Sequence, residues 1–238
     1  LRPYGGNSNK IPNEDSTELE FDETNLFLDN RFTGIDRLEG GPRINYGLQW
    51  ALTGDIGHRS SVFFGQSYRL KDDSTFGKGS GLNDNLSDLV GKVEFSPNSH
   101  VDLLYRTRLA TDNLSPNRNE AQFSATVPAY SVSGSYIFLN RQEEGEFAGR
   151  EELNIVGSAK LTRKWKSSLS ATRDLDAGEM RSARMDLVYE NECVVFSSSI
   201  NRTFYEDRDI KPVDSINFIL TLKTIGEVKT GFSAQGGN

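Results

Sequence analysis

Apolar and polar side chains alternate with a period of two along most of the chain from about residue 42 onward. In RINYGLQWAL, for example, Ile44, Tyr46 and Leu48 alternate with Asn45 and Gln49. Because successive side chains of a strand point to opposite faces, this period predicts strands with one apolar and one polar face. We count about eleven such runs, near 43–53, 60–71, 87–96, 99–110, 119–127, 129–140, 151–163, 165–173, 179–190, 193–205 and 214–225.

The lengths of these runs and of their connections favour one class of all-β protein. A ten-residue strand, at about 3.3 Å per residue and tilted by about 40°, covers roughly the 25 Å apolar band of a membrane barrel. Connections alternate between short (TGDIGH, SPNS) and long (DDSTFGKGSGLNDNLS, RQEEGEFAGRE). Outer-membrane barrels have short periplasmic turns and longer extracellular loops. We therefore predict an antiparallel transmembrane outer-membrane β-barrel, although a soluble β-sandwich would show the same alternation.

Composition is compatible with this prediction. The 238 residues have a formal charge of -7, a pI of about 5.0 and a mean hydropathy of -0.55. Such totals suggest a soluble protein, but a barrel alternates lipid-facing and lumen-facing residues and so keeps a low average. No run approaches the roughly 20 apolar residues of a membrane helix. The acidic balance argues against a nucleic-acid partner.

Loop parity predicts an orientation and three segments. If the short turns are periplasmic, residues 1–41 form an extracellular loop segment, 42–226 barrel strands and 227–238 a C-terminal tail. The stretch FDETNLFLDNRFTGIDR (21–37) is too charged for a core strand and too apolar for an ordinary linker. Eleven strands is an odd number, whereas bacterial single-chain barrels use an even one. Further strands are therefore expected before residue 1.

The chain offers little catalytic chemistry. His58 and His100 fall at or beside short turns, on the predicted periplasmic side, where a surface hydrolase would not place its histidine. The sequence has no zinc-protease, CxxC, Walker or dinucleotide-binding pattern with the right flanks. We predict no enzyme activity, no cofactor and no metal.

Four cations lie on the polar face and are candidate lumen residues. They are Arg106, Arg108, Lys160 and Arg184. Such side chains suit contacts with anionic phosphates or sugars, but a water-filled lumen needs solvated polar side chains in any case.

Cys193 is the single cysteine, so no internal disulfide can form. It follows a short turn, which parity places at the periplasmic end. The periplasm is oxidising, so Cys193 is either a small buried side chain or the partner of a cysteine outside this chain.

Two motifs resemble the LptD family of lipopolysaccharide (LPS) assembly proteins. The segment IPNEDSTELEFDETNLFLDNRFTGIDRLEGGPRINYGLQW (11–50) is similar to the family stretch of PNEDS, an acidic Phe-Asp-x-x-Asn-Leu-Phe core and Asn-Arg-Phe-x-Gly-x-Asp-Arg leading into a strand. The segment YENECVVFSSSINRTFYEDRDIKPVDSINFILTLKTIG (189–226) resembles its C-terminal strand pair. The motifs bracket nearly the whole chain, in the order of the C-terminal half of the barrel.

The resemblance implies a function and partners. The family forms an outer-membrane barrel in Gram-negative cells, preceded by a periplasmic jellyroll that is expected before residue 1. The jellyroll receives LPS from an LptA-like periplasmic bridge. The barrel releases LPS through a lateral gate between its first and last strands. An LptE-like lipoprotein plugs the lumen, and the barrel-assembly machinery inserts such barrels.

The resemblance also implies residue roles. The run 214–225 becomes the lateral-gate strand, with gate residues Ile216, Phe218, Leu220 and Leu222. Cys193 matches a family cysteine that bonds to one in the N-terminal region; many members have two adjacent cysteines, whereas here Val194 follows. The stretch 21–37 becomes a surface loop at the barrel mouth, anchored by Leu26, Phe27 and Phe32.

Three other functions stay open on the sequence. A general diffusion porin or other outer-membrane transport barrel would need a constricting loop folded into the lumen. A surface hydrolase barrel is disfavoured by the histidines. A soluble β-sandwich adhesin would refold without detergent.

Overall fold

The structure is a computed structural model that describes residues 14–17, 19–55, 57–71, 76–77, 79–140, 149–204 and 211–235. It confirms the all-β fold class, with one antiparallel sheet in which the strands follow their order along the chain. The twelve strands are β1 (Arg43–Thr53), β2 (Arg59–Arg69), β3 (Leu89–Asn98), β4 (Val101–Leu109), β5 (Pro116–Val127), β6 (Tyr130–Leu139), β7 (Arg150–Lys160), β8 (Trp165–Asp174), β9 (Glu179–Glu190), β10 (Val194–Thr203), β11 (Val213–Leu222) and β12 (Gly226–Gln235).

The strand count differs from the prediction by one. Each predicted run overlaps one of the strands β1 to β11, but β12 lies where the sequence predicted a tail at 227–238. Its register with β11 is continuous, from Leu222 opposite Gly226 to Val213 opposite Gln235. Val228 and Phe232 alternate there with Glu227 and Lys229, the same period of two that marks the other strands. The sequence prediction ends the sheet at the run 214–225, within the C-terminal motif.

Residues 1–13, Glu18 and 236–238, which belong to the predicted loop segment and tail, lie outside the described residues. In the described ranges, no helix has the length and apolarity that crossing a membrane requires.

The connections keep the predicted parity with one exception. After odd-numbered strands they run over 54–58, 99–100, 128–129, 161–164, 191–193 and 223–225. After even-numbered strands they run over 70–88, 110–115, 140–149 and 204–212, and over the shorter 175–178 between β8 and β9. We call the first set the short turns and the second set the long loops.

Backbone proximity divides the chain into two compact units. The first comprises Leu1–Ala121 with Ile137–Arg150, and the second Gln122–Tyr136 with Glu151–Asn238. Each is described by itself below.

In the first unit the sheet has one bare and one covered face. Leu48 lies opposite Phe64, and both are exposed, at 74% and 47%. Gly65 and Ser67, on the other face of β2, are buried. The covering comes from residues 14–42 and from the long loop 70–88. The apolar core lies beneath this cover and consists of Phe21, Leu26, Phe32, Phe76, Leu82 and Val90, with Phe63 packed against it.

In the second unit the same two-sided pattern continues without a buried apolar cluster among the described residues. Leu169 lies opposite Met185, and both side chains are exposed. On the other face the Ser168 hydroxyl donates to Asp186 at 3.4 Å. In each unit the apolar face of the sheet is therefore the exposed one.

Candidate functional site

Residues 14–42 form a segment without regular secondary structure that lies on the polar face of the first unit; we call it the docked segment. Its two arms are joined by backbone bonds from Leu19 N to Arg31 O (2.7 Å) and from Thr33 N to Thr17 O (2.8 Å). At its tip the Asp22 carboxylate accepts from the backbone of Thr24 and Asn25. At the tip, hydrogen bonds to short polar side chains thus take the place of the backbone hydrogen bonds between paired strands.

Two of the three predicted anchors are buried. Leu26 is fully buried and packs on Gly65 of β2, where a Cβ atom would overlap the Leu26 Cδ2. Phe32 stacks on Phe76 of the long loop 70–88, with ring centroids 4.8 Å apart. Phe27 differs from the prediction, since its side chain is 58% exposed. It meets Phe63 only edge-on, with ring centroids 6.5 Å apart. In the turn 22–28 Leu26 points to the sheet, so the next side chain points away.

A fully buried arginine holds the segment from within. The Arg31 Nη2 donates to the carbonyl of Leu26 and to the Ser67 hydroxyl, and its Nε lies 3.5 Å from Glu39. Glu39 also lies 3.0 Å from Arg43. Burial lowers the pKa of Arg31 to about 10 while Glu39 opposes the shift, so the guanidinium stays charged at neutral pH.

A second charge cluster joins the segment to strands β4 and β5. Arg108 lies 3.2 Å and Arg118 2.8 Å from the Glu20 carboxylate. Arg106 lies 2.9 Å from Glu23. Arg108 also donates to the carbonyls of Gly79 and Ser80. We call Glu20, Glu23, Arg106, Arg108 and Arg118 the rim cluster.

Burial disfavours the charged form of two carboxylates in this region. Desolvation raises the pKa of Glu23, although Arg106 opposes the shift. Desolvation also raises the pKa of Asp88, which Asn117 and Arg108 oppose. Asp36 behaves in the opposite way, because the backbone amides of Glu14 and Asp15 donate to its carboxylate and lower its pKa. The docked segment thus contains one carboxylate with a raised pKa, Glu23, and one with a lowered pKa, Asp36.

The four predicted lumen cations have different surroundings in the two units. Arg106 and Arg108 belong to the rim cluster, where carboxylates of the docked segment occupy them. In the second unit Arg184 is bound to Asp186 at 2.7 Å, and Lys160 is exposed at the short-turn end of β7. Among the described residues, no group of three or more His, Cys, Asp or Glu could hold a metal ion.

The predicted gate residues lie on a strand with neighbours on both sides. Ile216, Phe218, Leu220 and Leu222 are on β11, which pairs with β10 and with β12. Phe218 stacks on Phe196 of β10 with centroids 6.2 Å apart. The described strands run in the order β1 to β12, so β11 is not at an end of this order, and its role as a gate strand stays a prediction.

Cys193 is exposed, as a free thiol in the short turn 191–193. Its amide donates to the Asn191 side chain at 3.0 Å, and its carbonyl accepts from Lys223 N at 3.0 Å. The position is accessible from the short-turn end, while its pairing with a cysteine outside this chain stays a prediction.

The sequence missed Arg31, Glu39, Phe21 and Phe76 as parts of this site. From the sequence, Arg31 and Glu39 are expected to be exposed to solvent. A buried charge needs partners from distant strands, and periodicity does not show such partners. The order Arg31, Glu39, Arg43, with its i,i+4 ion pair, is the one local signal that was available.

This chain is similar in sequence to known LPS-assembly proteins. The LPS-assembly protein LptD of Vibrio cholerae serotype O1 is 25% identical over 242 residues, which cover 89% of this chain and 30% of that protein. The LptD of Vibrio vulnificus strain YJ016 is 22% identical over 203 residues, covering 77% of this chain and 25% of that protein. The chain therefore spans about 30% of the first relative's length.

Among solved structures, a triple mutant of the Rhodopseudomonas blastica porin is similar with a TM-score of 0.41 and 8% identity, over 81% of this chain and 85% of that one. The sequence model of the LptD family, described as LPS transport system D, matches residues 1–165. The chain thus belongs to the LptD family.

Proposed function

We propose that this chain forms part of an outer-membrane barrel that delivers LPS to the outer leaflet, without enzymatic chemistry. Family membership and the two-sided sheet support this function. Soluble monomers rarely expose large contiguous apolar patches, whereas here side chains such as Leu48, Trp50 and Leu169 are more than half exposed. A lipid bilayer is the environment that such a face requires.

The proposed orientation places the short turns in the periplasm and the long loops outside. The docked segment then lies at the extracellular side of the polar face. Its carboxylates keep Arg106 and Arg108 occupied, which favours a structural plug over a direct LPS contact in this conformation. LPS would then leave sideways rather than through the mouth.

We propose that β12 borders the lateral gate, because it continues the apolar face of the predicted gate strand β11. The apolar residues Ile216 and Leu220 of β11, both exposed, would form the membrane side of the approach. Val228 continues this face on β12, opposite Leu220, and is 68% exposed. Opening would need only the loss of ladder bonds at an edge, which is a discrete two-state change.

The family resemblance further suggests the partners of the full-length parent protein. We propose an LptE-like lipoprotein in the lumen, an LptA-like periplasmic bridge and insertion by the barrel-assembly machinery. No partner contact in this chain is needed for the test below.

The experiment places a photo-cross-linking amino acid at Val228 in the full-length parent, in cells with pulse-labelled LPS. Val228 is the third residue of β12 after a short turn, at a depth that LPS already in the outer leaflet does not reach. An adduct with newly made LPS would support the gate. Leu103, the third residue of β4 and on the same face, is the matched control and should give none.

Equal adducts at both positions would refute the gate but keep the transport function. Absence of LPS adducts at both, with transport otherwise active, would contradict a path along β12. If cells depleted of the parent still displayed normal surface LPS, the transport function itself would be wrong and the porin alternative would regain support.

A further inference from the structure

The exposed apolar face of the second unit contains a cleft at the short-turn ends of β5 to β8. Its volume is about 480 Å³ and its lining is almost entirely apolar. Lining residues include Val127, Tyr130, Val132, Gly157, Leu161 and Leu169. A Cβ atom on Gly157 would meet nothing within 4 Å, so the floor of the cleft is open. This size and lining are typical of small-ligand sites.

Aromatic side chains mark the depth of the cleft. Tyr130 at its edge is 65% exposed, and on the neighbouring strands Trp165 packs on Tyr189 with ring centroids 5.0 Å apart. Tyr and Trp concentrate at the headgroup level of a membrane, where an apolar ring and a polar tip are both satisfied. The cleft therefore begins at the headgroups and extends into the hydrocarbon.

Positive charge surrounds the headgroup end. Arg163 and Lys164 follow the lining residue Leu161 in the turn 161–164, and both are exposed. In the described part of the chain neither of them has a carboxylate partner. This contrasts with Lys166, which lies 3.2 Å from Glu190. The backbone bond from Lys160 N to Ala129 O (2.8 Å) holds this turn beside the β5–β6 turn at the cleft.

We propose that the cleft binds an anionic phospholipid of the periplasmic leaflet, of the phosphatidylglycerol type. One acyl chain would lie over Gly157 between Val132 and Leu169, and the headgroup phosphate would contact Arg163 and Lys164. Basic side chains next to a membrane-facing cleft recognise anionic headgroups by charge, while the apolar floor holds the chain. The proposal rests on the membrane orientation proposed above but not on LPS transport.

The test uses the purified full-length parent in nanodiscs of phosphatidylethanolamine with a minor share of phosphatidylglycerol. Native mass spectrometry after release from the disc counts each retained lipid. The double variant Arg163→Gln, Lys164→Gln should lower retained phosphatidylglycerol about fivefold or more, since each cation near a headgroup contributes about that factor. Retained phosphatidylethanolamine should not change. Gly157→Leu should remove the bound lipid by filling the floor of the cleft.

The matched control is Arg59→Gln, Arg202→Gln, which makes the same change of charge on exposed residues of β2 and β10. It should retain phosphatidylglycerol as the wild type does, and heat-dependent gel mobility confirms that each variant is folded. Equal loss in the control, or no loss in the double variant, would overturn the proposal. Displacement of phosphatidylglycerol by purified LPS would also overturn it, in favour of the transported substrate. Normal surface LPS in the double variant would separate this site from the transport function.

Discussion

At the scale of single residues, charge in the first unit is enclosed to a degree that is uncommon for a loop. Arg31 is the largest fully buried side chain, and Glu39 beside it is 1% exposed. A buried ion pair adds little net stability against an apolar replacement, but loss of one partner leaves an uncompensated charge. We therefore expect the docked segment to pack on the sheet only when both charges of the pair are present.

Glu39→Gln should weaken the seating of the docked segment by about 3 kcal/mol, because it leaves the Arg31 charge buried. Hydrogen exchange of the Leu19 and Thr33 amides, which bond across the two arms, measures this free energy. Glu94→Gln is the control, since its carboxylate binds Lys92 at a position 39% exposed. A change of under about 1 kcal/mol there fits a screened pair. Equal protection of both amides in Glu39→Gln and wild type would contradict the prediction.

The Asp36 carboxylate should make seating sensitive to acid. Its folded pKa lies below the ordinary value of 3.8, so its contribution is present above that value and is lost as the pH falls through the folded pKa. The difference in amide protection at Glu14 and Asp15 between wild type and Asp36→Asn measures it. That difference should be constant at neutral pH and vanish well below pH 3.8. Glu23 and Asp88 have raised pKa values and change the stability in the opposite direction. Both residues are present in wild type and in Asp36→Asn, so their effects cancel in the difference.

Burial of individual loop residues was only partly predictable. Leu26 and Phe32 were identified because apolar side chains in a charged stretch need a place to pack. Phe27 was not separable from Leu26, since in an irregular segment no period fixes which of two neighbours faces the sheet. Backbone hydrogen bonds of Asp22 and Asn25 make that choice.

At the scale of elements, β2 provides the seat for the segment. Gly65 lies beneath Leu26 and opposite Gly47 of β1, so the docked chain approaches the sheet backbone closely. A glycine inside a strand commonly marks such an approach.

Gly65→Ala should displace Leu26 and weaken seating by about 1–3 kcal/mol, the usual range for overpacking. The Leu19 and Thr33 amides should then exchange faster. Gly157→Ala makes the same change where a Cβ meets nothing within 4 Å, and should leave those amides unchanged. Unaltered protection in Gly65→Ala would show that the segment is held by its charges alone.

Periodicity predicted eleven of the strands to within a few residues because the two faces meet such different surroundings. It failed at β12 because Thr230 interrupts the apolar face and a family motif ended just before it. The signal was present in Val228 and Phe232, and the turn 223–225 is as short as its counterparts.

At the scale of the whole molecule, the free thiol at a short turn is the predicted partner of a cysteine outside this chain. We expect the oxidised full-length protein to migrate differently on non-reducing and reducing gels, and this difference to disappear in Cys193→Ser. The exposure of Cys193 makes the bond sterically accessible. Identical mobility in all lanes would leave the thiol unpaired and would remove the predicted disulfide, without affecting the family assignment.

The sequence separation within the rim cluster has a consequence for the order of folding. Arg118 binds Glu20 across 98 residues, so the segment is synthesised long before the last surface that holds it. Contacts between residues so far apart form late, because a long loop must first close. The turn at Asp22 can form at once, but seating must wait until β2 to β5 are aligned. Seating of the docked segment is therefore expected to be the last step in the packing of β1 to β5.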